Sequence, residues 1–182
     1  MRLFDFKLIE GNHFVAMEYY GLILNRTFLI LLAETHMIGV VANGLISVRS
    51  AADPLTSIIT DALSVHGDLH NPLSYLKEKY LNRVKNLNLL GDDFLKINRA
   101  NFRIRFDEIS EVTYDPRKKW GMGYYPHDGK VYVTTHGNRR EFIILGDQSG
   151  RAIASWTEGK SVGKVLVNAN PSLNPDAKLP PK

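Results

Sequence analysis

The spacing of apolar positions along this chain changes twice, from a strand-like pattern to a helical one near residue 53 and back again after Gly91. In the first fifty residues, His13 to Tyr20, Thr27 to Ala33 and Met37 to Ala42 are dense in aliphatic, aromatic and β-branched side chains, which suit a pleated, half-buried surface. Asn43-Gly44 then predicts a hairpin, since both residues tolerate positive φ, with a further strand over Leu45 to Arg49.

Asp53-Pro54 offers an N-cap and a proline at the first helical position, and Leu55, Ile58, Ile59, Ala62 and Leu63 follow at helical spacing. Gly67 ends that helix. Asn71-Pro72 repeats the start signal ahead of Leu73, Leu76, Tyr80, Val84 and Leu87, so a second helix is expected, with Lys77, Lys79, Arg83 and Lys85 on its outer side.

Strict alternation returns over Asn101 to Asp107, where Phe102, Ile104 and Phe106 share one face and Arg103, Arg105 and Asp107 the other. Val112 and Tyr114 continue it. A loop follows from Asp115 to Asp128, and Val131 to Thr135 faces Glu141 to Leu145 across a turn at His136-Gly137-Asn138. Gln148 to Thr157 predicts a short helix, with Gly150 counting against it, and Val165 to Val167 a last strand. Four prolines after Asn168 mark a disordered tail over 169–182. The expected architecture is therefore α+β: a mainly antiparallel sheet or partly open barrel, with a central two-helix segment at about 53–87, in one domain spanning 1–168.

Composition sharpens this picture. The chain has 182 residues, 44% hydrophobic and 23% charged, enough for one core. It has no cysteine, which excludes disulfides and thiolate zinc sites. Asp5 and Lys7 interrupt what would be the apolar core of a secretory signal, and the longest apolar runs, 28–33 and 37–42, fall well short of the roughly 20 residues of a spanning helix. A cytoplasmic location is the expectation. The net charge of +4 mildly favours anionic partners.

Three patterns that resemble catalytic or cofactor motifs fail on one residue each. Gly159-Lys160-Ser161 would end a phosphate-binding loop if residue 154 were glycine, but it is Ala154. The same segment read as Gly159-Lys160-Ser161-Val162-Gly163 fits a nucleophile elbow, yet no histidine follows Ser161. Gly121-Met122-Gly123 opens like a dinucleotide fingerprint, but Pro126 stands at its third glycine. His66 and His70 fall on a connection rather than one helical face. No catalytic residue, metal site or cofactor is indicated.

The remaining candidate is the 115–128 loop. It offers Arg117, Lys118 and Lys119 beside Trp120, with Met122, Tyr124 and Tyr125 close behind. Cations attract phosphates or acidic head groups, while tryptophan and tyrosine settle at a membrane interface or stack on bases. The competing reading is a solvated excursion whose aromatics fold back onto the core.

The segment Ala100 to Tyr114, containing a strand of the "FRIPYSDI" type at Phe102 to Ile109, resembles bacterial pleckstrin-homology-like and GRAM-like domains, as do Gly129 to Gly146 and Thr27 to Val41. Together these cover about half the chain. The resemblance implies seven strands running into one closing helix, with Asp53 to Leu87 as an insertion. It also implies a non-enzymatic binding or scaffolding module that engages an anionic lipid, phosphate or protein partner, with Arg117, Lys118 and Lys119 as counterparts of the phosphate-binding residues. An acidic membrane surface or a protein is the expected partner, no specific nucleic-acid signal is present, and pairing of strand edges into a homo-oligomer is open. The alternative is a small-ligand carrier or enzyme with a pocket between sheet and helices, lined by side chains such as Tyr75 and Tyr80.

Overall fold

The central strands are apolar at nearly every position, not every second one, because both faces of the sheet they build are covered. The computed structural model describes residues 1–20, 24–44, 67–120, 122 and 125–161. Among these residues seven strands form one sheet: β1 (His13–Tyr19), β2 (Asn25–Leu32), β3 (His36–Asn43), β4 (Phe102–Arg105), β5 (Ile109–Asp115), β6 (His127–Thr135) and β7 (Asn138–Leu145). All pairings are antiparallel and the order is β4-β3-β2-β1-β7-β6-β5, curled into a half-barrel. Among the described residues three α-helices accompany it: α1 (Glu78–Leu81), α2 (Asp92–Ile97) and α3 (Gly150–Ser161). The predicted helix from Asp53, the strand at Leu45, the strand at Val165 and the 169–182 tail lie outside the described residues.

Side-chain alternation divides the sheet into two cores. Phe14, Ala16, Phe28, Ile30, Met37, Phe102, Val131, Val133, Phe142 and Ile144 fill the inside of the curl. Val15, Met17, Leu29, Leu31, Ile38, Val40, Ile143 and Leu145 form an outer core, covered by Tyr75, Val84, Leu89 and Phe94. A strand wet on one side would show polar residues at alternate positions, whereas these are buried on both faces and read as continuous apolar runs. Inside the curl the Phe102 ring lies directly over its register partner Gly39, where a Cβ would come within 1.9 Å of a ring carbon. Phe102 also meets Phe28 edge-on at 5.4 Å and stacks with Phe142 at 5.8 Å between centroids.

The outer cover differs from the expected second helix. Asn71 does cap as predicted, its side chain accepting from the Leu73 N–H, but it opens only a 3-10 turn at Pro72–Tyr75. Leu76 and Lys77 are then extended, and the Lys77 N–H donates to the Ala42 carbonyl at the end of β3, 2.8 Å away. The Asn43 amide donates to the Tyr75 carbonyl at 3.0 Å. These bonds to the sheet remove the groups a continuous helix would need, leaving α1 as a single turn. The basic residues therefore do not form one helical stripe: Lys79 and Arg83 both approach the Tyr80 ring. Asp92 and Asp93 occupy the first turn of α2, where acidic side chains favour the helix dipole; this helix has no counterpart in the sequence reading.

The alternation of 101–107 also breaks earlier than expected. Phe106–Glu108 forms a 3-10 turn whose first N–H donates to the Thr35 carbonyl at 3.0 Å, and this corner separates β4 from β5 at opposite ends of the sheet. Helix α3 rests on β5, β6 and this turn, burying Ile153, Ala154 and Thr157. Gly150, read as a mark against the helix, is what lets it dock. A Cβ there would lie 2.5 Å from both the Asp128 carbonyl and the Tyr114 ring, and the Gly150 N–H donates to the Asp128 carboxylate at 2.7 Å.

Candidate functional site

Strand β5 ends on Asp115, and this carboxylate organises the start of the loop that follows. Its two oxygens accept from Arg117 Nε and Nη2, each at 2.9 Å, and Oδ1 also accepts the Arg117 N–H at 3.0 Å. Lys130 of β6, opposite in register, adds its ammonium at 3.0 Å. Arg117 and Lys130 together hold the Asp115 carboxyl well below the usual carboxylate range. Gly129 permits this approach, because at its φ of +63° a Cβ would stand 2.2 Å from the Asp115 carbonyl.

The middle of the loop is fastened through Lys119. Its ammonium pairs with Glu141 Oε1 of β7 at 2.7 Å and lies over the Tyr19 ring at 5.8 Å, while Tyr132 donates to the other Glu141 oxygen at 3.1 Å. The Lys119 N–H donates to His127 Nε2 at 3.1 Å, and His127 Nδ1 lies 3.0 Å from the Tyr125 carbonyl. Met122 is buried and takes a hydrogen bond from the Tyr19 hydroxyl at 3.7 Å. Tyr125 is buried too, its ring 5.9 Å from that of Tyr75.

Between these fixed points the tip projects. Trp120 is 95% exposed, Lys118 is exposed, and the Arg117 side chain is 84% exposed despite its ion pair. The structure thus brings together Arg117, Lys118, Lys119 and Trp120 but gives them unequal roles. Lys119 is an anchor, Arg117 is neutralised locally, and Lys118 with Trp120 faces solvent. Tyr124 lies outside the described residues. Of the aromatics expected in the loop, Tyr125 folds back onto the core while Trp120 stays in solvent.

Sequence reasoning missed the anchors. Asp115, Lys130, His127 and Glu141 carry no motif, and they stand among other polar residues of β5, β6 and β7, so nothing local marks them. It also missed a charged cluster at one mouth of the inner core. Glu18, 12% exposed, accepts from Arg26 at 2.9 Å and from Arg140 Nε and Nη2 at 2.9 and 2.8 Å. Arg140, 13% exposed, stacks on Phe102 at 3.6 Å from the ring centroid and lies 5.4 Å from those of Phe28 and Phe142.

The other patterns resolve into ordinary structure. Gly159-Lys160-Ser161 lies in the last turn of α3, with the Ser161 hydroxyl donating to the Glu158 carbonyl at 2.8 Å, so no phosphate cradle forms there. His70 pairs with Asp147 at 2.8 Å on the surface, and that carboxylate raises the imidazole above its ordinary range. A cleft of about 440 Å³ lies between Glu34 to His36, Arg105 to Asp107 and the end of α3. Tyr75, expected to line a pocket between sheet and helices, is 0% exposed, and its hydroxyl donates to the Leu69 carbonyl at 2.9 Å. Among the described residues no group of three His, Cys, Asp or Glu could hold a metal, and no helix is long and apolar enough to cross a membrane. Compared with known proteins, the chain matches no family, no curated protein and no solved structure.

Proposed function

We propose that this chain is a non-enzymatic docking module of pleckstrin-homology-like architecture, which engages an anionic lipid surface through its 115–128 loop. The strand order β4-β3-β2-β1-β7-β6-β5, followed directly by one helix, supports the architectural part, since seven strands running into one closing helix is what the resemblance leads one to expect. On this reading the expected insertion, Asp53 to Leu87, falls in sequence between β3 and β4.

The observation that carries the functional part is Trp120. A tryptophan exposed across almost its whole surface costs solubility unless it meets something, and this one sits on a loop whose base is fixed by two ion pairs and two buried side chains. Lys118 stands beside it and Arg117 one step further. An indole that enters the head-group region and cations that face acidic lipids are complementary, each basic residue near an acidic leaflet adding about 1 kcal/mol.

The test is co-sedimentation with phosphatidylserine-containing vesicles. The native chain binds them, binds neutral phosphatidylcholine vesicles poorly, and weakens as salt rises. The triple variant Arg117→Ala, Lys118→Ala, Lys119→Ala loses most of this binding. No binding by the native chain, or equal binding by the triple variant, overturns the reading.

A further inference from the structure

We propose that the lipid contact of this chain extends beyond the loop tip to Arg139, so that an acidic leaflet lies along the outer face of β6 and β7. This rests on the lipid-docking reading above and gives that site a second contact point and an orientation.

The outer face of these strands is polar. Val131 and Val133 enter the inner core, so Tyr132 and Thr134 alternate to the outside. Register then sets Thr113, Tyr132 and Glu141 in one row across β5, β6 and β7, and Glu111, Thr134 and Arg139 in the next. The helical cover packs chiefly on β1 and β3. Tyr132 and Thr134 are half-buried, and Arg139 is exposed.

Arg139 is held unlike the other arginines of the described strands. Arg26 and Arg140 pair with Glu18, Arg103 with Asp92 and Arg105 with Asp107. Arg139 has no carboxylate partner among the described residues; its guanidinium lies over the Tyr132 ring, 4.1 Å from the centroid. The ring is itself fixed, since the Tyr132 hydroxyl donates to Glu141. A stacked guanidinium uses its flat face and keeps its N–H donors along the edge. An anionic head group therefore meets a cation that is already ordered and needs no carboxylate displaced from it.

The acids of this face decide where the contact runs. Glu141 takes Lys119 and Tyr132, and Asp115 takes Arg117 and Lys130. Glu111 pairs with no cation among the described residues and repels an anion at the β5 edge, but it stands two strands from Arg139, about 10 Å at ordinary strand spacing. Toward the loop the face is basic. The Lys119 ammonium sits on Glu141, two positions along β7 from Arg139, a step of about 7 Å. Lys118 and Trp120, both exposed, adjoin that lysine in the chain, so Arg139 and the tip flank the same point.

The first measurement is binding to phosphatidylcholine vesicles carrying about 30% phosphatidylserine. Arg139→Ala weakens binding by about threefold to fivefold, the effect of one cation near an acidic leaflet. Arg99→Ala controls for net charge: Arg99 is also exposed, but it precedes β4, at the opposite end of the sheet from β5, and its loss leaves binding near native. No loss with Arg139→Ala, or the same loss with Arg99→Ala, overturns the second contact point and leaves the docking reading standing. No binding by the native chain overturns the docking reading and this inference with it.

The second measurement reads orientation with the arginine in place. The chain has no cysteine, so Thr134→Cys and Arg99→Cys each offer one attachment point for a polarity-sensitive fluorophore. On the same vesicles, emission from position 134 shifts to the blue and is shielded from an aqueous quencher, while emission from position 99 is unchanged. A bound chain whose position 134 stays as open to the quencher as position 99 overturns the orientation, and this holds even where Arg139→Ala fails to fold.

Discussion

Arg140 lies with its guanidinium 3.6 Å from the centroid of the Phe102 ring while donating two hydrogen bonds to Glu18. The arginine closes one mouth of the inner core with its apolar faces and neutralises a largely buried carboxylate with its edge. Arg140→Ala removes both contributions and leaves Glu18 with Arg26 alone. The expected loss is about 2–4 kcal/mol of unfolding free energy, read from the denaturant midpoint. Arg140→Lys recovers only part of it, because an ammonium neither stacks nor bonds in bidentate fashion.

Gly39→Ala should destabilise through the same ring. The new methyl would sit 1.9 Å from a Phe102 ring carbon, so the ring must leave its contacts with Phe28 and Phe142. Overpacking of this kind costs about 1–3 kcal/mol or somewhat more. Phe102→Leu in the Gly39→Ala background makes room, so the double variant is more stable than the sum of the single effects predicts in thermal or denaturant unfolding.

Asp115 gives the loop base a pH dependence of definite sign. Its folded pKa is depressed by Arg117 and Lys130, so the folded state binds this proton less readily than the unfolded chain. The resulting stabilisation is complete above the ordinary carboxylate range and is lost as pH falls through that range toward the depressed value. Native and Asp115→Asn chains should therefore differ most in unfolding free energy near neutral pH, and the difference should shrink on acidification. A gap that widens toward low pH contradicts the assignment.

Tyr75 acts at the other end of the scale. Burial pushes its phenol up beyond the ordinary tyrosine range, so the folded state resists ionisation that the unfolded chain accepts. Stability from this group is intact below about pH 10 and declines as pH rises above it. Tyr75→Phe should lose about 1 kcal/mol at neutral pH by leaving the Leu69 carbonyl unpaired, and should flatten the alkaline decline measured by denaturant unfolding.

Trp120→Ala separates stability from function. With 95% of its surface exposed, the indole contributes almost nothing to the core, and the unfolding free energy should stay within about 0.5 kcal/mol of native. Binding to acidic vesicles should nonetheless weaken severalfold. A destabilised variant would mean that the indole packs inward.

Strand existence was legible because β-branched and aromatic residues crowd 13–20, 27–33, 37–42 and 131–145. What sequence could not show is which partner a backbone group chooses. Leu73, Leu76, Tyr80 and Val84 have helical spacing, yet the Lys77 N–H goes to Ala42, more than thirty positions away, and Leu73 ends up exposed. Gly150 illustrates the converse: its low helix propensity is visible locally, whereas the backbone of Asp128 that requires it is not. At the loop, composition alone singled out Arg117 to Trp120. The division into anchors and tip depends on Asp115, His127 and Glu141, whose partners are fixed by the fold.

Covering the sheet on both sides also shapes how this chain can vary. An ordinary antiparallel sheet tolerates polar replacement at every second position, so a mutational scan of its strands shows a comb. Here β1, β2, β3 and the second half of β7 should show unbroken intolerance, because odd and even positions enter different cores. Permitted change is pushed to β5, where Ser110 and Glu111 are exposed, and to the connections. New recognition chemistry would arise on the outer strands and the rims of the sheet rather than on the faces of its central strands.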